Sequence, residues 1–126
     1  MAMVRIFKTR YFSRWMKKTE LTHSALSQAV AEMSKGLIDA DLGAGVVKKR
    51  IGVAGRGKSS GVRTLVATNK GSRWYFMYGF EKNVMGNIGE KPLGALQDLA
   101  QDLLSLTNAE LERALLDKII EEVDHD

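Results

Sequence analysis

Nine lysines and arginines lie between Val46 and Lys82: Lys48, Lys49, Arg50, Arg56, Lys58, Arg63, Lys70, Arg73 and Lys82. Glu81 is the only acidic residue among them, so the segment carries a formal charge of +8. Cations at that density call for a polyanion or an acidic partner. What is missing narrows the chemistry. The segment has no histidine, and the chain has only His23 and His125, so a histidine acid–base pair is not expected there. It also lacks the clustered carboxylates that two-metal hydrolysis needs, and neither a metal nor a cofactor is expected. Lys, Arg, Ser and Tyr remain. Cationic side chains can neutralise the charge of a phosphorane, and a Lys or Tyr can move the proton of a ribose 2′-hydroxyl. A lysine crowded by other cations gives up its proton more readily, and Lys48-Lys49-Arg50 is such a run. The same side chains could equally do no more than bind backbone phosphate. Composition alone favours binding over catalysis.

One motif matches and is rejected. Gly52-Val53-Ala54-Gly55-Arg56-Gly57-Lys58-Ser59 fits the G-x-x-x-x-G-K-[ST] pattern of nucleotide-hydrolysing phosphate loops. That loop needs a helix after it, whose N-terminus completes the phosphate cradle. Here SGVRTLVAT follows, which is strand-like, and no apolar run ending in Asp appears downstream to hold Mg²⁺.

The elements that position these residues follow from periodicity. Met3–Lys8 reads as a short strand. Tyr11, Phe12, Trp15 and Met16 then lie at helical spacing, which predicts an amphipathic helix ending near Thr19 with its aromatic stripe in the core. Thr22 is a candidate N-cap for a second helix, with Leu26, Val30, Met33 and Leu37 as its stripe and Gly36 as its C-terminal glycine. His23 reads as a surface or capping residue. The short link between the two helices predicts an antiparallel hairpin. Gly43 and Gly45 punctuate the entry to the central region. Val47 to Val53 alternates as a strand, residues 55–61 read as a flexible basic loop, and Val62 to Thr68 alternates again. Asn69-Lys70-Gly71-Ser72 is turn chemistry, and the run from Arg73 to Phe80 completes a hairpin. By alternation Trp74, Phe76, Tyr78 and Phe80 share one face. Residues 83–91 read as a connector. Pro92 opens a helix with Leu93, Leu96, Leu99, Ala100 and Leu103 on its stripe. Thr107-Asn108-Ala109-Glu110 is a capping box that starts a final helix carrying Leu111, Leu115, Leu116, Ile119, Ile120 and Val123.

At 126 residues the chain is read as a single domain, residues 1–126, with a helical extension over about residues 92–126. There is no cysteine, which excludes disulfides and thiol chemistry and fits a cytoplasmic location. No run approaches the roughly 20 apolar residues of a membrane span, and no signal peptide or membrane partner is expected. The net charge of +4 hides a polarity, because residues 83–126 carry 3 basic and 10 acidic side chains. An acidic tail beside a basic centre suggests either a plain solvated face or a mask for the basic one.

The phrases VVKKRIG, GKSSGVRTLVAT and RWYFMYGFEKN, with Lys8-Thr9-Arg10-Tyr11-Phe12-Ser13-Arg14-Trp15 near the start, resemble the RelE/HigB superfamily of bacterial toxins, RelE-like branch. The resemblance runs from about Val4 to Leu106. It implies an α+β fold with an N-terminal helical hairpin on a mostly antiparallel sheet, followed by C-terminal helices. It implies a type II toxin that enters the ribosomal A site and cuts mRNA without metal. It also implies a cognate antitoxin, often of helix-turn-helix type. By position it makes Lys49, Arg50, Arg63 and Lys82 the catalytic cations and, through a loop that varies in the family, Arg56 and Lys58 RNA contacts; Lys48 and Arg73, as members of the basic segment itself, are expected to be further RNA contacts. In one respect the chain departs from the superfamily pattern. Relatives place a Tyr or His after the last strand, whereas none follows Lys82 here until His125. Tyr78 could substitute only if it faced the basic side. The competing reading is a non-catalytic module that binds nucleic acid or the antitoxin.

Overall fold

The computed structural model describes residues 4–53, 57–81 and 90–124. Six strands form one sheet in the order β2-β3-β4-β5-β1-β6. They are β1 (Arg5–Thr9), β2 (Ala40–Gly43), β3 (Val46–Val53), β4 (Gly57–Thr68), β5 (Arg73–Glu81) and β6 (Ile120–Glu122). The described residues also form four helices: α1 (Arg10–Met16), α2 (His23–Ser34), α3 (Glu90–Leu104) and α4 (Asn108–Leu116). Among the described residues, only the β1–β5 pairing is parallel. The architecture is the expected α+β, with a mostly antiparallel sheet.

Helices cover both faces of the sheet, which explains why its central strands read as almost continuous apolar runs. On the first face Phe12 and Met16 of α1 and Leu26, Ala29, Val30 and Met33 of α2 pack on Val47, Ile51, Val62, Val66, Trp74 and Phe76. On the second, Ala100 and Leu103 of α3 and Leu111 and Ala114 of α4 pack on Phe7, Val46, Leu65, Ala67, Tyr75 and Met77. Trp74, Tyr75, Phe7, Phe12 and Phe76 are fully buried, and each stabilises the fold by about 1.5–3 kcal/mol.

Several boundaries differ from the periodicity, each for a local reason. Thr9 caps α1 by accepting from the Phe12 N–H, and the helix ends at Met16, short of Thr19. Tyr11 is 57% exposed rather than core, because neighbours on a short helix cannot both face inward and Phe12 takes the inner position. Thr22 caps α2 as expected, and Gly36 takes φ +92°, but Leu37 lies beyond the helix and is exposed. The strand β2 was not legible. It exists because Gly43, Ala44 and Gly45, all at positive φ, turn the chain back onto β3. The strand β4 begins at Gly57, so the basic loop is shorter than predicted. The capping box forms, with the Thr107 hydroxyl accepting from Glu110 N–H at 3.1 Å and Glu110 accepting from Thr107 N–H at 2.8 Å. However, α4 stops at Leu116, the chain turns at Lys118 (φ +58°), and Ile120 pairs with Thr9 in β6 instead of extending the helix.

The most consequential difference is in β5. Leu65 is opposite Tyr78 but Val66 is opposite Phe76, so Met77 is an extra residue, a β-bulge. Beyond it the alternation is inverted. Trp74 and Phe76 face α1 and α2, whereas Tyr78 and Phe80 lie on the opposite face, against the second core. Gly79 now points to the first face, where the Trp15 ring occupies the space a Cβ would need.

Candidate functional site

The sequence-predicted cations separate once the strands are in register. Along β3 the side chains alternate, and Val47, Lys49, Ile51 and Val53 point to the first face. Lys49 is therefore enclosed beneath α2, 4% exposed. Its ammonium pairs with Glu32 of α2 at 2.9 Å and donates to the Leu37 carbonyl oxygen at 2.8 Å. A buried charge needs such partners, and here they are complete. Strand alternation thus sends Lys49 and Arg50 to opposite faces of the sheet, although both border one cleft beside Asp39.

Lys48 and Arg50 occupy the second face, and β4 meets them there. The cross-strand partners are Lys48 with Leu65 and Arg50 with Arg63, and on the other side of β4 Leu65 meets Tyr78 and Arg63 meets Phe80. Two neighbouring rows result: Lys48, Leu65, Tyr78 and Arg50, Arg63, Phe80. The close approach of β3 and β4 depends on Gly61, where a Cβ would fall 2.1 Å from the Ile51 carbonyl oxygen.

The electrostatics of this corner are uneven. Arg50 is clasped by Asp39, whose carboxylate accepts from the Arg50 backbone N–H at 2.6 Å and from its Nε at 2.9 Å. Burial alone would raise the Asp39 carboxyl, but the bonds from Arg50 and the charges of Arg50 and Lys49 outweigh it and hold it below the usual range. Clasping Nε orients the guanidinium, and Arg50 remains half-exposed. A cleft of about 200 Å³ lies beside it, lined by Leu37, Ile38, Asp39, Lys49 and Arg50. Arg63 differs, because its Nη1 is buried and has no hydrogen-bond partner among the described residues. Like charges opposite each other destabilise a strand pair, and an unsatisfied buried N–H of a charged group costs more than ~1–3 kcal/mol. An anion held between Arg50 and Arg63 would relieve both.

Tyr78 borders the cluster. Its ring stacks on that of Tyr11 with centroids 5.1 Å apart and 21° between the planes. The hydrogen bond with Tyr11 pushes the Tyr78 phenol above its ordinary value, and burial and the Tyr11 charge add to this. Tyr78 therefore keeps its proton more firmly than an isolated phenol does. The bulge is what brings a hydroxyl to the basic face. Sequence alternation assigned Tyr78 elsewhere, and nothing in the apolar run FMYGF marks Met77 as the extra residue. Tyr11 and Asp39 were also missed, and neither carried a sequence signal beyond its residue type.

The other predicted contacts are dispersed. Arg73 opens β5 at the far end of the strand, where its Nη1 donates to the Leu106 carbonyl oxygen at 2.5 Å and its Nη2 to Asn108 Oδ1 at 2.9 Å. It ties the α3–α4 connection to the sheet. Lys58 is in β4, but its side chain, like the whole of Arg56 and Lys82, lies outside the described residues. The residues after Lys58 run on as β4, so the helix that a nucleotide-binding phosphate loop requires is a strand. Among the described residues no group of His, Cys, Asp and Glu is arranged to hold a metal, and no helix is long and apolar enough to cross a membrane.

Fold and site together define a small α+β protein with a cationic, tyrosine-bordered corner on one face of its sheet. The chain belongs to the RelE toxin family: the model of the RelE toxin of the RelE/RelB toxin–antitoxin system matches residues 4–123. The match reaches past Leu106 through α4 and β6, so the acidic C-terminal segment is part of the family's own domain. No curated protein matches the chain.

Proposed function

We propose that this toxin is a metal-independent endoribonuclease that cuts mRNA in the ribosomal A site and so arrests translation in the cytoplasm. The observation that carries the reading is the Arg50–Arg63 cross-strand pair, in which Arg63 keeps a buried N–H with no partner among the described residues. Arg50 and Arg63, with Lys82, bind the scissile phosphate and offset the charge that grows as the 2′-oxygen attacks phosphorus. Tyr78 gives its proton to the leaving 5′-oxygen, and the 2′-hydroxyl proton passes to solvent. Lys48, Arg56 and Lys58 grip the RNA backbone. Lys49 and Arg73, fully engaged within the fold, support the site from outside it. The neutralising partner is a cognate antitoxin of the RelB or helix-turn-helix type.

The test is induced expression in a bacterial host with primer extension on an abundant message. Wild type should arrest growth and leave discrete cuts within the reading frame. Arg63→Ala should lose both, with a fall of about 10²–10³ in cleavage rate on programmed ribosomes. Arrest that persists in Arg63→Ala overturns the site.

One observation favours a second reading, a module that binds RNA without cutting it. With Lys49 paired to Glu32 and Tyr78 holding its proton, the described part of the site offers no dedicated base. That reading predicts salt-sensitive RNA binding with intact product.

A further inference from the structure

We infer that Tyr11 and Tyr78 form a nucleobase platform, on which the base of the nucleotide held at Arg63 stacks against the open face of Tyr11. The inference rests on the RNA reading above and adds to it a residue that determines base preference. The Tyr78 ring covers one side of Tyr11, and Tyr11 is still 57% exposed, so a flat apolar surface is left facing solvent. Large exposed aromatics do not reduce the free energy of a fold, but one already stiffened by a stacked neighbour loses little entropy when a base is added. The Tyr78–Phe80 contact, at 6.0 Å between centroids, ties the pair to the second core. Thr9, which caps α1, donates its hydroxyl to the Met77 carbonyl oxygen at 3.0 Å and so fixes the helix start carrying Tyr11 to the bulge that re-aims Tyr78.

Spacing supports the assignment. Tyr78 and Arg63 are diagonal neighbours on one face, since Arg63 is opposite Phe80 and Leu65 opposite Tyr78. Diagonal pairs stand about 7–8 Å apart, and the Tyr11 ring lies 5.1 Å beyond that of Tyr78, so the tyrosine pair is within reach of an extended nucleotide whose phosphate is on the arginine. Stacking of this kind is sequence-tolerant in strength but sensitive to ring size, so purines are expected to bind more tightly than pyrimidines.

The test uses short, fluorescently labelled, 2′-deoxy-blocked RNA oligonucleotides, which cannot be cleaved, carrying adenine, uracil or an abasic sugar at one position. Their binding to the full chain is followed by anisotropy up to millimolar protein. Wild type should bind the adenine probe about tenfold more tightly than the abasic one, as base–aromatic stacking allows. Tyr11→Ala should bind the two alike, Tyr11→Phe should keep the difference, and Tyr11→Leu, which still covers Tyr78, should lose most of it. An unchanged adenine–abasic ratio in Tyr11→Ala, or no binding of any probe by wild type, overturns the platform. Cleavage plays no part in the readout. A protein that stacks bases through Tyr11 but never cuts RNA would refute the endonuclease reading alone, and one that cuts RNA with no role for Tyr11 would refute the platform alone.

Discussion

Lys49 and Arg50 are adjacent in sequence and both cationic, and the fold gives them opposite uses. Arg50 is half-exposed beside Arg63, while Lys49 is sealed under α2 against Glu32. Removing one member of a buried pair leaves an uncompensated charge, whereas replacing both with apolar groups can be nearly neutral. Lys49→Ala should therefore lower unfolding free energy by about 2–4 kcal/mol, discounted toward the lower figure because Glu32 keeps some solvent contact. Lys49→Met combined with Glu32→Leu should recover most of that loss. Urea denaturation of the single and double variants measures it, and cleavage per folded molecule should survive in the double variant. The Asp39 clasp adds a pH signature. Its folded carboxyl titrates lower than in the unfolded chain, so its contribution is complete above the unfolded value near 3.9 and disappears as pH falls through the folded one. Thermal midpoints of wild type and Asp39→Asn should converge as pH falls below about 4. Residue types alone identified the cations, but not which face each takes, because that depends on strand register.

At the scale of elements, the hairpin of β4 and β5 and the caps at Thr22 and Thr107 were readable, since alternation, turn residues and capping chemistry are local, whereas the Thr9 cap was not read. The strands β2 and β6 were not, because four and three residues carry no usable period and their pairing is decided by distant neighbours. The Met77 bulge was hidden for a related reason: in a strand buried on both faces, every residue is apolar whichever way it points. Two glycines hold the site's elements together and should respond differently to a methyl group. At Gly61 a Cβ meets the Ile51 backbone oxygen at 2.1 Å, which no rotamer can relieve. At Gly79 it meets the Trp15 ring at 2.2 Å, which can turn away. Gly61→Ala should cost about 3 kcal/mol and Gly79→Ala about 1 kcal/mol, the two ends of the overpacking range. Denaturant midpoints at constant slope test this, and Trp15→Leu should rescue Gly79→Ala while doing nothing for Gly61→Ala.

Across the whole molecule the acidic C-terminal segment had two readings in sequence, mask or solvated face, and the fold gives it another role. Arg5 donates to Glu122 at 2.8 and 2.9 Å and pairs with Glu112 at 3.3 Å, Lys8 lies 3.8 Å from Glu121, and Arg10 donates to the Lys118 carbonyl oxygen. The tail thus closes on β1 and α1, and β6 covers the edge that β1 would otherwise expose. Three strand spacings, about 14 Å, separate β6 from Arg63 on β4, and a fourth separates it from Arg50 on β3, so the carboxylates of β6 do not screen that corner, whereas α3 of the same segment packs over β3 and β4. Two forces could hold the tail in place, and their magnitudes distinguish them. Exposed ion pairs contribute about 0–1 kcal/mol each and weaken in salt, whereas burying Ile120 and Val123, each 1% exposed, contributes about 1.5–3 kcal/mol apiece. Burial should therefore dominate. Glu121→Gln with Glu122→Gln should cost about 1 kcal/mol at low salt and almost nothing at 1 M, and should leave growth arrest intact. Ile120→Ala should cost about 2–4 kcal/mol at any salt, and should reduce growth arrest only as far as it reduces the folded fraction. Should the double glutamine variant instead prove more toxic at equal protein level, the tail would be shielding the basic corner after all, and the distance argument would fail.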